Sequence, residues 1–262
     1  MSAVTDVLIP ASPDEAVSAY GDGSGVTVIG GGTIVMPDIT AGRLSPAKTI
    51  LLARAGLAAV TRDGGKVTLG AMTPLQQLVD LGAPVGPCAA NVADLEVRLQ
   101  GTVGGNLCAG QGQDAPRGDL QGALIAVGAQ VRSVGAGGER AEPVEDFLAG
   151  RAGRLVLDVT YDEPAAGAFV AIDRPHTHEY TTLAVSAAKL ADGTIRLAAT
   201  GTGTGAARLP SAEAAAADPE AAGAAALKDV TLHDDVLASA WYREQALPVL
   251  VRRALTRLEE GR

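Results

Sequence analysis

Two glycine-rich clusters in this chain have the residue types needed to hold an anion. The first reads GGGT at residues 30–33 and follows a short apolar run, and the second reads TVGGN at residues 102–106. Glycine has no Cβ, so a glycine-rich turn can bring backbone N–H groups close to a negatively charged group. Two such turns are typical either of loops that grip one extended diphosphate ligand or of two structural turns.

The surroundings of the first cluster argue against the common nucleotide-binding motifs. A dinucleotide-binding Rossmann turn has the spacing GxGxxG, runs directly into a helix and is followed by an acidic residue about twenty positions later. The first cluster leads instead into Val35-Met36-Pro37, for which we predict no helix, and it lacks the Gly-Lys-Ser/Thr ending of a P-loop. The sequence therefore predicts a loop whose own amides hold the anion.

The composition is that of an acidic protein with an aliphatic core. The 262 residues carry a formal net charge of −9, and 47% are hydrophobic while only 3% are aromatic. The acidic balance argues against a nucleic-acid partner, and we expect neither a membrane span nor a signal peptide. Cys88 and Cys108 are the only cysteines and form no CxxC motif, which favours the reducing cytoplasm over a disulfide framework.

The other patterns predict the elements that must position these clusters. Ser12-Pro13 followed by acidic residues predicts a capped helix, and Asp63-Gly64-Gly65 between two apolar runs predicts a hairpin. We also predict a helix over residues 91–99, an amphipathic helix over 119–127 and a long amphipathic helix over 239–259. Strands followed by helices in the second half predict a smaller α+β domain there.

The second cluster and its surroundings resemble a known family. The pattern R-x-x-x-T-V-G-G-N-L at residues 98–107, together with the earlier GGGT, is similar to the flavin-binding subunit of the molybdenum hydroxylases. That group includes the medium subunit of aerobic carbon monoxide dehydrogenase and the FAD domain of xanthine dehydrogenase. The resemblance continues through DLQGAL at 119–124 and EPVEDFL at 142–148 to SAWYR at 239–243, so it covers nearly the whole chain.

The resemblance implies an α+β fold with FAD bound in an extended form. It implies the two-subdomain FAD-binding fold of the vanillyl-alcohol oxidase/p-cresol methylhydroxylase type, followed by a smaller C-terminal α+β domain with an antiparallel sheet and helices. We assign the FAD-binding domain to residues 1–163, with subdomains at about 1–52 and 53–163, and the C-terminal domain to residues 164–262. A composition shift at residues 164–167 agrees with this boundary.

The resemblance also implies which residues bind FAD. They lie in the two clusters, at an acidic residue further along and at an aromatic residue of the C-terminal domain: Ile29, Gly30, Gly31, Gly32, Thr33, Ile34, Gly101, Thr102, Gly104, Gly105, Asn106, Asp119 and Phe169. Backbone amides of both clusters would wrap the pyrophosphate. The side chains of Thr102, Asn106 and Asp119 would contact the phosphates and the ribityl chain. Phe169 would lie near the flavin ring, where the lysine usual in the family is absent.

The function implied by the resemblance is electron transfer within a molybdenum hydroxylase complex. An iron-sulfur subunit and a molybdenum-cofactor subunit would carry the [2Fe-2S] clusters and the molybdenum cofactor, and FAD in this chain would pass electrons to a quinone, NAD or dioxygen. No side chain needs to act as a nucleophile or a general base, so no catalytic residue is predicted. Two alternatives stay open: a stand-alone FAD-dependent oxidase or reductase of the same superfamily, and a flavin-free assembly module.

Several other motifs receive structural interpretations. His176 and His178 stand one residue apart and do not by themselves make a zinc site, so no metal site is predicted. The repeat TGTGTG at 200–205 is interpreted as a structural turn rather than a third phosphate loop. Arg98 either offsets phosphate charge or is a surface arginine. The polar segment 111–118 is longer than the family resemblance leads us to expect, and we predict an exposed loop there.

Overall fold

The chain folds into two compact units, each assembled from segments that are distant in sequence. The computed structural model describes residues 6–110, 118–172, 180–203 and 205–261. Unit 1 comprises Met1–Gln77, Leu95–Gly105 and Gln130–Thr160, and unit 2 comprises Leu78–Asp94, Asn106–Ala129 and Tyr161–Arg262. Each unit has its own sheet structure and its own apolar core.

The described residues form twelve strands and ten α-helices. The strands are β1 (Asp6–Leu8), β2 (Val26–Ile29), β3 (Lys48–Leu51), β4 (Val60–Asp63), β5 (Lys66–Gly70), β6 (Gln130–Gly135), β7 (Gly138–Pro143), β8 (Arg154–Asp162), β9 (Ala166–Ala171), β10 (Ala184–Lys189), β11 (Ile195–Thr200) and β12 (Ala207–Arg208). The helices are α1 (Pro13–Tyr20), α2 (Val35–Thr40), α3 (Val85–Ala90), α4 (Leu95–Gln100), α5 (Val103–Cys108), α6 (Leu120–Ala126), α7 (Val144–Gly150), α8 (Pro210–Ala214), α9 (Pro219–Ala226) and α10 (Ala240–Glu260). Within the described ranges, no helix is both long enough and apolar enough to cross a bilayer.

The first sheet of unit 1 is parallel and delivers the first glycine cluster. Its strand order is β1-β3-β2, and α1 connects β1 to β2. As predicted, Ser12 caps α1, because its Oγ accepts the Glu15 N–H at 3.1 Å. Ala16 and Tyr20 of α1 pack with Ile50 of β3 in the core. The end of β2 therefore lies on a sheet that α1 fixes from one side.

The segment after the first cluster corrects the sequence analysis, which predicted no helix there. It forms α2, and the Met36 N–H donates to the Gly32 carbonyl at 3.0 Å. Pro37 is tolerated because it lies in the first turn, where a backbone N–H has no intrahelical acceptor. The prediction that no helix follows the first cluster is therefore wrong and does not exclude a Rossmann turn. The spacing of the glycines still disfavours one, because Val35 stands where the third glycine of GxGxxG would be.

The second sheet of unit 1 has five strands in the order β4-β5-β8-β6-β7. The predicted hairpin joins β4 to β5, and Gly64 and Gly65 both have positive φ, as a two-residue hairpin turn requires. Strand β7 carries the residues GERAEP, which are mostly exposed and show no apolar alternation, so the sequence did not predict it. The buried Arg154 guanidinium stabilises the turn between β6 and β7, because it donates to the Gly138 and Ser133 carbonyls at 3.1 and 2.8 Å.

Unit 2 is built on an antiparallel sheet in the order β12-β11-β10-β9. Side chains on one face form the core with α8, α9 and α10, while α6 packs on β10 and β11. All seven residues of α6 are buried, so the prediction of an amphipathic helix is wrong. Its neighbours cover it on several sides, since α3, β10, β11 and β12 all contact it.

A further correction concerns the predicted helix over residues 91–99. The structure has two short helices, α3 and α4, with residues 91–94 between them. Ala93 has a positive φ of 41°, which no helical residue adopts. The long C-terminal helix was predicted correctly and forms α10, with Ser239 Oγ accepting the Tyr242 N–H at its start.

Candidate functional site

The two glycine clusters meet within unit 1. A Cβ on Gly31 would overlap the carbonyl oxygen of Gln100, at the end of α4, and a Cβ on Gly30 would lie 2.8 Å from Thr102 Oγ1. Only glycine permits this approach at Gly31, because the carbonyl oxygen belongs to backbone and cannot turn away. The contact therefore fixes the first cluster against the residues that lead into the second.

The first cluster offers several backbone donors. The N–H groups of Gly31, Gly32, Thr33 and Ile34 donate to no acceptor within the part of the chain that the structure describes. These residues are half-buried and lie between the end of β2 at Ile29 and the start of α2. A turn with consecutive unpaired N–H groups, followed by a helix, presents partial positive charge. This turn is therefore equipped to bind an anion.

The second cluster differs, because its amides already have acceptors in the protein. The Val103 N–H donates to Thr73 O at 3.0 Å, the Gly104 N–H to Ala71 O at 2.8 Å, and the Gly105 N–H to Thr102 Oγ1 at 3.2 Å. Thr102 thus caps α5, and the cluster is the first turn of a helix rather than a loop. Three of the amides that the family resemblance assigns to the pyrophosphate therefore already have acceptors within the protein.

The second cluster contributes in two other ways. The buried Thr102 hydroxyl accepts the Gly105 N–H and so keeps its own proton for donation to a ligand. Gly104 lets α5 lie close to the chain after β5, since its Cβ would come within 3.1 Å of the Ala71 side chain. Gly101, just before Thr102, is buried and accepts the Leu75 N–H at 2.9 Å.

Asn106 and Asp119 come together in unit 2 around one peptide group. Asn106 Oδ1 accepts the Leu120 N–H at 2.9 Å, and the Cys88 thiol donates to the Asp119 carbonyl at 3.2 Å. The peptide between Asp119 and Leu120 is therefore held at both ends by side chains from α5 and α3. This fixes the backbone from which the Asp119 carboxylate projects, and it leaves the Asn106 NH2 group as a donor.

Two residues of this cluster were missed by sequence reasoning. Cys88 is buried, and nothing near it in the sequence indicates that it contacts Asp119. Gln121 is buried and donates through Nε2 to the Leu107 and Ala109 carbonyls, both at 2.9 Å. A signal existed for Gln121, because it is the one polar side chain in the helix LQGALIA. Buried polar residues in apolar helices usually have such partners.

Phe169 lies on the same side of the unit 2 sheet as α6. Its neighbours Ala168 and Val170 face the core on the opposite side, and successive side chains of a strand alternate. Ala171 and Thr200 pair with the same residue of β10, and a Cβ on Gly122 of α6 would overlap Thr200 Oγ1. Ala171, and with it Phe169, therefore faces the α6 layer, which begins at Asp119.

The Cys88 thiol gives this cluster a pH dependence. Burial raises the pKa of Cys88 well above its ordinary value of 9.0, and the charge of Asp119 raises it further. The thiol therefore stays protonated and keeps its hydrogen to donate. Because the pKa is higher in the folded than in the unfolded state, the stabilisation is complete below the unfolded pKa and is lost as the pH rises above it.

We expect the free energy of unfolding of the wild type to fall relative to that of Cys88→Ala once the pH exceeds about 9. The slope should approach about 1.4 kcal/mol per pH unit. Urea unfolding of both proteins at a series of pH values, with a reducing agent present, measures this difference and cancels the titration of lysine and tyrosine residues. A difference that is constant with pH would contradict the buried, hydrogen-bonded thiol.

The remaining motifs have structural partners or lie outside the described residues. Arg98 Nε donates to Gln76 Oε1 at 3.0 Å. In the glycine-threonine repeat, Thr202 Oγ1 donates to the Gly205 carbonyl at 2.7 Å, which is the geometry of a structural turn. His176 and His178 and the segment 111–117 lie outside the described residues. Among the residues that the structure describes, no three metal-ligating side chains come together.

Solved structures share this fold over the whole chain. Carbon monoxide dehydrogenase from Hydrogenophaga pseudoflava, in a form lacking the Mo-pyranopterin moiety, matches with a TM-score of 0.86 and 23% identity over 100% of this chain and 99% of that one. Reconstituted CO dehydrogenase from Oligotropha carboxidovorans matches with 0.86 and 22% identity over 100% of both chains. Quinoline 2-oxidoreductase from Pseudomonas putida 86 matches with 0.84 and 20% identity over 99% and 98%. These matches confirm the predicted α+β fold.

The sequence itself matches a domain family. Residues 3–160 correspond to the family described as the FAD binding domain in molybdopterin dehydrogenase, whereas no curated protein matches the sequence. This match covers more than half of the chain and includes both glycine clusters, which confirms the predicted family and FAD as the cofactor of this chain. The protein therefore belongs to the FAD-binding family of the molybdopterin dehydrogenases, the group that holds the flavin subunits of molybdenum hydroxylases.

Proposed function

We propose that this chain is the FAD-binding electron-transfer subunit of a multi-subunit molybdenum hydroxylase, in which FAD takes electrons from the [2Fe-2S] clusters of a partner subunit and delivers them to an external acceptor. A second partner subunit would hold the molybdenum cofactor and the substrate pocket. The observation that carries the proposal is the turn at residues 31–34, whose backbone N–H groups have no acceptor among the described residues.

The first cluster is suited to the diphosphate of FAD. A diphosphate has many acceptor oxygens and needs several donors at short range, which consecutive backbone N–H groups supply without a positively charged side chain. Gly31 allows the turn to rest on Gln100, and the buried Thr102 hydroxyl lies beside Gly30 with its proton available. We therefore assign phosphate binding to the amides of residues 31–34 and to the Thr102 hydroxyl, with Ile29 and Gly101 supporting the turn.

The remaining residues that the family resemblance assigns to FAD belong to unit 2 and have groups suited to its ribityl chain and flavin ring. The Asp119 carboxylate can accept hydrogen bonds from ribityl hydroxyl groups, and the Asn106 NH2 group can donate to them or to a phosphate. The half-buried Phe169 offers an apolar ring surface for the flavin. Ala171 lies two residues further along the same face, and the lysine that is usual in the family after Phe169 is absent here. A small uncharged residue there would leave the approach of an electron acceptor open.

The chain needs no nucleophile or general base for this task. Its residues bind the cofactor, orient it and exclude water from one side, and the chemistry belongs to FAD. The proposal includes an FAD-binding domain at residues 1–163, a C-terminal domain at residues 164–262 and a cytoplasmic location. The location is supported by Cys88, whose buried thiol donates to the Asp119 carbonyl and forms no disulfide.

The purified chain and its complex test the proposal. The chain purified alone should release one FAD per polypeptide on denaturation, and the complex with its iron-sulfur and molybdenum subunits should contain all three cofactors. In an anaerobic reductive titration of the complex, the iron-sulfur signals and the flavin absorbance should respond together, and an added acceptor should reoxidise both. A colourless chain that added FAD does not reconstitute would overturn the proposal. Substrate turnover by the isolated chain would instead support the stand-alone flavoenzyme.

A further inference from the structure

The segment that leads into α10 displays large apolar side chains to solvent. Val236 is 86% exposed, Trp241 is 68% exposed and Tyr242 is also exposed. Single exposed apolar residues are ordinary on protein surfaces, but three within seven positions are not. Trp241 is the only tryptophan of the chain, in a protein that is just 3% aromatic. Exposed aromatic anchors of this kind are typical of residues that carry the binding energy of a protein interface.

The same segment is rigidly held from within by a buried ion pair. Arg243 Nη2 lies 2.7 Å from Asp235 Oδ1, and the two side chains are 0% and 1% exposed. Arg243 Nη1 also donates to the His233 and Ala238 carbonyls at 2.6 and 2.8 Å. A buried ion pair adds little stability over an apolar pair, but it can select one conformation. Here that conformation places Val236, which directly follows Asp235, in solvent.

The start of α10 is fixed in the same way. Asp234 Oδ1 accepts the Ala240 N–H at 2.6 Å, and Ser239 Oγ accepts the Tyr242 N–H at 3.2 Å. Trp241 therefore stands in a capped first turn. A surface that is ordered before binding loses less conformational entropy when a partner docks.

The charged side chains around this segment indicate what kind of partner it would bind. Between residues 229 and 246 the exposed charged side chains are Asp234 and Glu244, both carboxylates, because Arg243 is buried and paired. A second copy of this chain is disfavoured, since each copy carries a net charge of −9. An arginine or lysine of another protein could instead lie over the indole ring and pair with the carboxylates.

We propose that Val236, Trp241 and Tyr242, with Asp234 and Glu244 at their edge, form the docking surface for a partner subunit that presents an arginine or lysine beside an apolar side chain. This inference rests on the proposed function, which places the chain in a heteromeric complex. The surface lies on the C-terminal segment of unit 2, outside residues 3–160 that define the FAD-binding family.

The test compares Trp241→Ala with Leu227→Ala in the assembled enzyme. Leu227 is 39% exposed and belongs to unit 2, so it controls for the loss of an exposed apolar side chain. Each variant is coexpressed with the iron-sulfur and molybdenum subunits, and the Kd of assembly is measured by mass photometry on dilution. We expect Trp241→Ala to raise this Kd at least about tenfold, as a hot-spot residue does, and Leu227→Ala to leave it unchanged. Glu244→Lys should also weaken assembly, and less so at high salt.

The flavin content separates this proposal from the proposed function. Both alanine variants should keep the FAD of the wild type, so a wild-type chain without FAD counts against the proposed function alone. Wild-type affinity in both Trp241→Ala and Glu244→Lys would overturn the docking surface, as would a wild-type chain that binds FAD but never assembles. A concentration-dependent homodimer that Trp241→Ala abolishes would overturn the choice of partner in favour of a second copy.

Discussion

Replacing Gly31 by valine is expected to abolish the retention of FAD by the purified chain. Any side chain at this position overlaps the Gln100 carbonyl oxygen, so the turn must move away from the end of α4. The N–H groups of residues 31–34 then lose the positions in which this contact holds them. We expect the Kd for FAD to rise at least about a hundredfold, which corresponds to about 3 kcal/mol, and the free energy of unfolding to fall by about 1–3 kcal/mol.

Gly150→Ala is the matched control for this substitution. Gly150 is also in unit 1, ends α7 with a negative φ, and a Cβ built on it meets nothing within 4 Å. The control should keep its FAD and gain up to about 1 kcal/mol from the higher helix propensity of alanine. Flavin absorbance per polypeptide and thermal unfolding report both effects. If Gly31→Val bound FAD as tightly as Gly150→Ala, the assignment of the diphosphate to this turn would be wrong.

The largest loss of stability is expected from Asp235→Ala. This substitution leaves the Arg243 guanidinium buried without a counter-charge, and two backbone N–H groups of residues 237 and 238 lose their acceptor. Breaking a buried pair in this way costs about 3–5 kcal/mol. Because whole domains are stable by only about 5–15 kcal/mol, the variant should unfold at a markedly lower urea concentration.

Arg252→Met is the control for Asp235→Ala, because Arg252 is on the same helix as Arg243. Its ion pair with Glu220 is exposed, with side chains 44% and 77% accessible, so we expect a change below about 1 kcal/mol. The double variant Asp235→Leu/Arg243→Met should recover most of the stability, since an apolar pair needs no counter-charge. If Asp235→Ala and Arg252→Met lowered the free energy of unfolding equally, the burial of the Asp235–Arg243 pair would not explain its contribution to stability.

Features set by a few neighbouring residues could be predicted from the sequence. The cap at Ser12, the hairpin at Gly64 and Gly65 and the long helix α10 all depend on local residue preferences. The features that were missed depend on contacts that their own residues do not reveal. Strand β7 has no apolar pattern of its own and exists because β6 lies beside it. Helix α6 is buried all round because elements far away in the sequence cover it.

In the candidate site, too, some features could be predicted from neighbouring residues and others could not. The glycines of both clusters indicated an anion site, and the resemblance to a family indicated FAD. The different roles of the two clusters could not be predicted, because the acceptors of the second cluster, Ala71 O and Thr73 O, lie some thirty residues earlier. The contact of Cys88 with the Asp119 carbonyl was likewise invisible, since the residues are far apart in sequence and a single cysteine carries no pattern.

The contact between Gly31 and Gln100 also has a consequence for the order of events during synthesis, because the proposed diphosphate site depends on it. A nascent chain that ends before Gln100 has the first glycine cluster but not the carbonyl oxygen against which it rests. Unit 1 itself is complete only when Thr160 has been made, because its third segment supplies β6, β7 and β8. Domains fold as units while the chain emerges. On the proposed assignment of the diphosphate to this turn, we therefore expect FAD to enter late, after most of the polypeptide has left the ribosome.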